Sequence, residues 1–541
     1  MASQLKTASI AAPGFYGLNT QESSITLSSG FALKAQNCVI DKYGRIGARR
    51  GWTPVNTTVN TDLGAANPVE FLFEVVTGGG TEVLSAGNNK LFVGSTTMTT
   101  KTVRNADNSG NATYTITASN WQGAALSYGD VSDFQPHVYL AQASHPMLVW
   151  HELPVSGGAF DAHDSGTFGF QRVGDDAKLP SNHTTSTFMP SWVISAYGRI
   201  WCGGISGDTQ TVYFSDLLAG TDFKNGSAGY LNLQEVLPNG DPVVAAAAHN
   251  GYIIFFGRRN TAIYANPLDT ASLQLVEIIN NVGCIARDSV QSLGTDVLFL
   301  SDAGVRSLQR VIQEKSLPMR DISKNVRDDL MSAVASETDL TKIKSVYYER
   351  DAIYLLTLPT TKFVYCFDTR APLPDNAMRV TIWDNIEPKA FTVTQDKNLL
   401  LGKPGYIGKY YGHSDNNVAY RLQYFTNYFD FDAATSLKLL KKIGWVLIGG
   451  TNQSVSVKWG FDYSEGYQAT TYTLDTATVY EYGIGEYNIA EYSSGIVLDR
   501  FSIQAGGQGT VMQLGLEADI NGNPLSIQKI DVGIKQGKTL V

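Results

Sequence analysis

Cysteine is scarce in this chain: four in 541 residues, at Cys38, Cys202, Cys284 and Cys366, none in a C-x-x-C spacing. That excludes a disulfide scaffold and a thiolate zinc site. The apolar neighbours read all four as buried thiols of a reducing compartment. Long apolar runs are missing as well. No stretch approaches about eighteen apolar residues, so no membrane span is expected. The opening MASQLKTASIAAPGFYG lacks the basic and apolar regions of a secretory leader, which points to synthesis and assembly in a cytoplasm. Charge is sparse at 17%, and the net −9 with a pI near 5.4 argues against a tight nucleic-acid binder, which needs a basic face. No G-x-S-x-G, Walker loop or H-E-x-x-H occurs.

What the chain has in quantity is glycine (52), tyrosine (27) and a recurring phrase. An apolar strand, a tight polar turn and a second apolar strand return at about fifty-residue intervals. The copies start at Val69, His137, Ser191, Val243, Val290, Ile343 and Lys389. Most carry Gly, Asn or Asp where a hairpin needs positive φ: Gly87-Asn88-Asn89, Gly198, Asn250-Gly251, Asp302 with Gly304, and Asp396 with Asn398. Six or seven such units predict an all-β chain built on a β-propeller.

Three regions follow. Residues 1–68 form an opening segment with short strands around an Asp41–Gly44 turn. Residues 69–412 carry the propeller, interrupted by polar insertions near 95–121 and 151–190. Residues 413–541 alternate cleanly in Val455–Lys458 and Phe501–Gln504, which predicts an additional C-terminal antiparallel β-sandwich-like domain, with a turn at Gly522-Asn523-Pro524 before the last strand. One segment breaks the β rule. From Asp321, the residues Ile322, Val326, Leu330 and Val334 recur four apart, which predicts one amphipathic surface helix. This apolar stripe and the two insertions are the candidate partner contacts. The paired Arg258 and Arg259 form a candidate channel or interface hairpin, able to hold a phosphate or a neighbour's carboxylate.

The opening GFYGLNTQESSITLSSGFALKAQNCVIDKYGRIGARRGW resembles the start of tail nozzle or tail hub proteins of short-tailed bacteriophages, also called packaged-DNA stabilisation proteins. Their recurring Asn, Asp, Gly, Arg, Gly phrase is filled here by Asn37, Asp41, Gly44, Arg49 or Arg50, and Gly51. VYFSDLLAGTDF from Val212, the stretch from Pro238, VGCIARDSVQSLGTDVLFLSDAGVRSL from Val282, the helix from Asp321 and the closing ADINGNPLSIQKIDVGIKQGK follow the family's order. The two insertions and the blade lengths depart from it. The resemblance implies a structural protein of the virion tail, a homo-hexamer below the portal and a tail adaptor protein. It also implies contacts with tail fibre, spike or needle proteins and transient non-specific contact with genomic dsDNA during ejection. Six copies at −9 would carry about −54, and an acidic lumen lets DNA slide; plain solubility explains the same charge equally well.

Two other classes stay open. A receptor-binding or adhesin propeller of a fibre or spike would read a host surface with the polar insertions. A propeller glycoside hydrolase would need paired carboxylates. Asp302 in SDAGVRS faintly resembles a sialidase box, but the Trp is missing, and a turn Asp explains it better. His137, His145, His151, His163 and His183, with Asp161 and Asp164, could be a metal loop but read as solvated loop residues. No catalytic residue, metal or cofactor is expected.

Overall fold

The computed structural model describes residues 5–24, 26–77, 80–105, 113–127, 136–153, 166–173, 176–308, 321–433, 435–450, 452–464, 466–474 and 496–539. Each repeated phrase supplies strands to its own sheet, and the sheets stand in a ring. The first runs outward through Phe71–Thr77, Gly80–Gly87, Lys90–Val93 and Thr99–Lys101. The third, fourth and sixth repeat that order from Trp192–Ala196, Val243–His249 and Lys344–Tyr348. The innermost strand of each sheet, or the helical turn Arg287–Ser289 before the fifth, touches the next around the ring. Six sheets have at least four strands; the fifth, from Gln291–Ser292 to Gly304–Ser307, has three. This is a β-propeller. It closes through Trp52–Pro54, which pairs with Tyr406–Tyr410 as the outer strand of the seventh sheet, so residues ahead of the first blade complete the last.

Packing between blades holds the ring. Six separate apolar clusters each fill the space between two neighbouring sheets: Trp150 and Leu84 join the first and second, Trp201 and Phe255 the third and fourth, Phe256 and Phe299 the fourth and fifth. Each such side chain, fully buried, contributes about 1.5–3 kcal/mol, and because successive residues of a strand face opposite neighbours, as Val138 and Leu140 do one way and Tyr139 and Ala141 the other, burial on both faces of the blades closes the circle. The hairpin turns use the residues expected of them. Positive φ occurs at Asn88, Asn89, Gly198, Asn250, Gly251 and Gly304, but in the seventh blade it falls on Lys397, between the predicted Asp396 and Asn398.

The insertions are partly structural. The phrase at His137 supplies the second and third strands of its blade, whose innermost strand is Gln122–Ala125, and the fourth, Phe168–Arg172, lies inside the 151–190 stretch. Val103–Arg104 and Thr113–Tyr114 extend this sheet to six strands. The histidines correct the solvated-loop reading. His137, His145 and His151 are buried beside or within these strands, and His183 hydrogen-bonds Tyr213 Oη at 3.0 Å. His163, Asp161 and Asp164 lie outside the described residues.

The sixth blade does not end at the ring. Its outer strand Arg379–Trp383 pairs with Gly17–Leu18, and the sheet runs on through Phe31–Gln36, Tyr420–Thr426, Met512–Ile520, Ser454–Phe461 and Gln468–Thr473 to ten strands. A second sheet, built on Ser436–Gly450 and Leu525–Thr539, takes in Leu5–Ala11, Cys38–Ile40 and Ile46–Ala48 and packs across the first around Trp445, Leu447, Tyr424 and Ile530. Apart from Trp52–Pro54, the opening strands are therefore members of the sheets of the C-terminal sandwich, with Gly44 (φ 74) turning between two of them.

The predicted helix is observed as Arg327–Ala335, entered by a 3-10 turn at Lys324–Val326. Ile322, Val326 and Leu330 are fully buried and Val334 nearly so, packed with Ile285, Leu300 and Val305 of the three-stranded fifth blade and with the sandwich. The stripe read as a partner contact is spent on the chain's own core. A helix whose apolar face is already covered has only its polar face to offer another subunit.

Candidate functional site

The innermost strands all begin on one face of the ring, the near face, and their leading residues bring charges together at the axis. Arg287 Nη2 donates to the Asn120 carbonyl at 2.8 Å, Nη1 to the Ser191 carbonyl, and Nε to Asp288 Oδ2 at 3.0 Å. Lys344 Nζ donates to the same Asp288 oxygen at 2.6 Å and to Asn120 Oδ1. One buried network thus ties the second, third, fifth and sixth blades together. Burial alone would push the Asp288 carboxyl up; Arg287 and Lys344 outweigh it and hold it below its ordinary value. Burial also lowers the Lys344 ammonium, with Asp288 opposing.

Beside this network opens a pocket of about 320 Å³, lined by Glu70, Glu337, Asp339, Lys342 and Lys389. Glu337 accepts from the Thr360 N–H at 2.9 Å and from its hydroxyl at 2.7 Å. Burial lowers the Lys389 ammonium, while Glu387 and Glu337 oppose the shift. Acids and bases are mixed here, so the near face is not a uniformly acidic surface despite the net −9.

Arg258 and Arg259 sit on the same face, farther from the axis, in the turn between Tyr252–Gly257 and Thr261–Ala265. Both are exposed. Their backbone is held firmly: Asp241 accepts from the Arg259 N–H at 3.1 Å, the Asn260 N–H at 2.9 Å and the Asn260 side-chain amide at 2.9 Å, while the Arg258 N–H reaches the Pro242 carbonyl at 3.2 Å. Sequence reasoning missed Arg306, which lies 8% exposed against the same turn across the blade boundary and pairs with Asp321 at 3.3 Å. No linear spacing joins residues 258 and 306; only the ring does.

The family-like phrase has a structural meaning. Arg49, fully buried, donates from both terminal nitrogens to Asp415 (2.9 and 2.7 Å), from Nε to Asn37 Oδ1 (2.9 Å), and from Nη2 to the Asp384 carbonyl (3.2 Å), with Tyr420 beneath it at 4.0 Å. Asn37 Nδ2 in turn donates to the Arg421 carbonyl at 2.8 Å and to Asp384 Oδ1. Asp41 caps its own turn by accepting from the Tyr43 and Arg45 N–H groups at 2.8 and 2.9 Å. A Cβ on Gly51 would stand 1.9 Å from the Ser414 carbonyl oxygen, so only glycine fits. These residues join the opening segment, the last two blades and the sandwich.

Asp302 lies in the Ser301–Gly304 turn, as a hairpin residue would. Among the described residues no group of three His, Cys, Asp or Glu could hold a metal, and no helix is long and apolar enough to cross a membrane. All four cysteines are buried free thiols, and burial pushes the Cys284 thiol up to about 11, away from nucleophilic use. The outer strands of the third and fourth blades and the loop before the latter expose Tyr230, Leu268, Leu275, Val276 and Ile278.

No family model matches the chain, and neither does any curated protein. Among solved structures, the WD40 domain of Neurospora crassa Pan2 aligns at 10% identity over 67% of this chain and 96% of its own (TM-score 0.32). The WD40 domain of Toxoplasma gondii coronin aligns at 10% over 76% and 86% (TM-score 0.33). A glycoside hydrolase family 43 arabinoxylan arabinofuranohydrolase from Bacillus subtilis aligns at 8% over 96% and 99% (TM-score 0.25). Likeness at this level carries no functional inference, and the propeller rests on the pairing of the chain's own strands.

Proposed function

We propose that the chain is a structural subunit of a short-tailed phage virion, a tail nozzle or hub that assembles six to a ring below the portal and adaptor, retains packaged DNA and conducts it at ejection. The observation that carries the reading is the ordered resemblance along the chain, beginning with the phrase Asn37, Asp41, Gly44, Arg49, Gly51. The way these residues are used supports it. A conduit subunit must transmit force between its parts without hinging, and here the sixth blade is joined to the sandwich sheet through the Gly17–Val380 and Gln36–Ile382 pairs, beside a buried arginine. The large apolar residues exposed on the outer strands of the third and fourth blades suit a protein that works in an assembly. The DNA path in this reading is the axis of the six-subunit ring, not the axis of one propeller.

Electron cryo-microscopy of the intact particle, before and after DNA release, tests the proposal. The expected result is a six-fold ring of this chain on the tail axis, open enough for duplex DNA after release. Placement off the axis, in a three-fold spike or outside the virion would reject it, and the three-fold case would favour a receptor-binding propeller.

A further inference from the structure

The turn carrying Arg258 and Arg259 is built with more care than a surface loop needs. Its backbone donors are occupied from within, by Asp241 and the Pro242 carbonyl. A Cβ on Gly283 would stand 2.3 Å from the Arg258 carbonyl carbon, so the connector to the fifth blade needs glycine to lie flat against the turn. What remains free is two guanidinium groups, held over a pocket of about 310 Å³. Arg306 lines that pocket from below. It is more than nine-tenths buried, its Nε makes no hydrogen bond, and among the described residues its ion pair is the 3.3 Å approach to Asp321. Of its five N–H donors only the Nε, which faces Asp321, is both buried and without a hydrogen bond, so the terminal nitrogens are the ones left for a group in the pocket. Asn281 and Ser301 complete the wall, and Asp302 stands exposed at the mouth as the one carboxylate lining the pocket.

We propose that this pocket between the fourth and fifth blades binds a phosphate group, with Arg258 and Arg259 closing over it and Arg306 as its floor. Three forked cations converging on one cavity match the several oxygens of a tetrahedral oxyanion better than a single carboxylate, and they outnumber Asp302 at the mouth and Asp321 beside Arg306. The phosphate could be inorganic or part of a nucleic-acid backbone, since both offer the same oxygens. The inference does not rest on the nozzle reading: its failure would leave the place of the chain in a virion untouched.

The test is isothermal titration of the full chain with inorganic phosphate at low ionic strength, repeated with the double variant Arg258→Ala/Arg259→Ala. A second double variant, Lys441→Ala/Lys442→Ala, removes the same charge from exposed positions of the sandwich. The expected result is saturable binding that the arginine variant weakens by about tenfold or more and the lysine variant leaves alone. Arg306→Gln, checked for unchanged melting, should weaken it likewise. A short DNA duplex that displaces phosphate from the wild type identifies the backbone as the source, and one that does not identifies free phosphate. Absence of saturable phosphate binding to the wild type, or equal binding by the arginine variant, overturns the proposal.

Discussion

Arg49 and Asp415, 366 positions apart in the chain, meet in a two-point ion pair with N–H···O distances of 2.9 and 2.7 Å. Both are buried, and each has further reason to be where it is. Arg49 also satisfies Asn37 and the Asp384 carbonyl, and Asp415 bridges to Trp52, the strand that closes the propeller. The pair is a rivet through three layers. It sits where the opening segment, the closing blade and the first residues of the sandwich cross.

Removing one member of such a pair strands the other without water. Arg49→Met is expected to cost about 3–5 kcal/mol in chemical denaturation, and Asp415→Asn a similar amount. Arg49→Lys keeps the charge but loses the two-point geometry and the Nε bond to Asn37, so it should fall between wild type and Arg49→Met. A destabilisation of Arg49→Met below about 1 kcal/mol, the range of an exposed pair, would show the rivet is dispensable.

Much of the ring is legible in the sequence because its physics is local. Seven hairpin phrases mark seven sheets, and Asn250-Gly251 or Gly198 announce their turns by a backbone requirement that few residues meet. What could not be read is whatever depends on closure. Gln122–Ala125 is four residues long with no strong alternation, and becomes an innermost strand only because Val138–Gln142 pairs with it. Trp52–Pro54 looks like part of an opening segment until the ring returns to it. Arg306 joins Arg258 and Arg259 across a blade boundary. The stripe from Ile322 to Val334 shows that a helix has a buried face, but not what covers it; the three-stranded fifth blade and the sandwich do.

That last point can be checked. Leu330 is fully buried in the shared core of the fifth and sixth blades and the sandwich. Leu330→Ala should lower the stability of the isolated chain by about 2–5 kcal/mol. Hydrogen exchange of the free chain should already show Leu330 and Val334 protected. Protection that appears only in assembled particles would return the stripe to the partner-contact role.

Two glycines separate steric need from turn preference. At Gly51 an added methyl meets the Ser414 carbonyl at 1.9 Å, whereas at Gly251 (φ 81) nothing lies within 4 Å. Gly251→Ala should cost about 1 kcal/mol, the price of an L-residue in left-handed backbone. Gly51→Ala has to move backbone at the rivet and should cost several times more, read as a larger drop in melting temperature. Equal shifts for the two variants would mean that the 51–414 approach relaxes freely.

Acid should loosen the same region through His413, which follows the closing blade. Burial pushes its imidazole from 6.5 down to about 4, Arg50 adds to the effect, and a backbone contact from Arg49 opposes it. The folded chain therefore holds His413 neutral where the unfolded chain would take a proton. A depressed folded value gives stability that is complete above pH 6.5 and is lost as pH falls towards 4, and the gap between the two values is worth about 3 kcal/mol. Burial lowers His145 and His183 too, with Asp208 opposing at His183, so both add to the loss of stability as pH falls below 6.5. The measurement is the difference in unfolding free energy between wild type and His413→Asn across this range. The wild type should lose more stability than the variant between pH 6.5 and 4, with the remaining slope coming from the other two histidines and the carboxylates. Parallel curves over that interval would show that His413 is already charged, or accessible to water, in the folded protein.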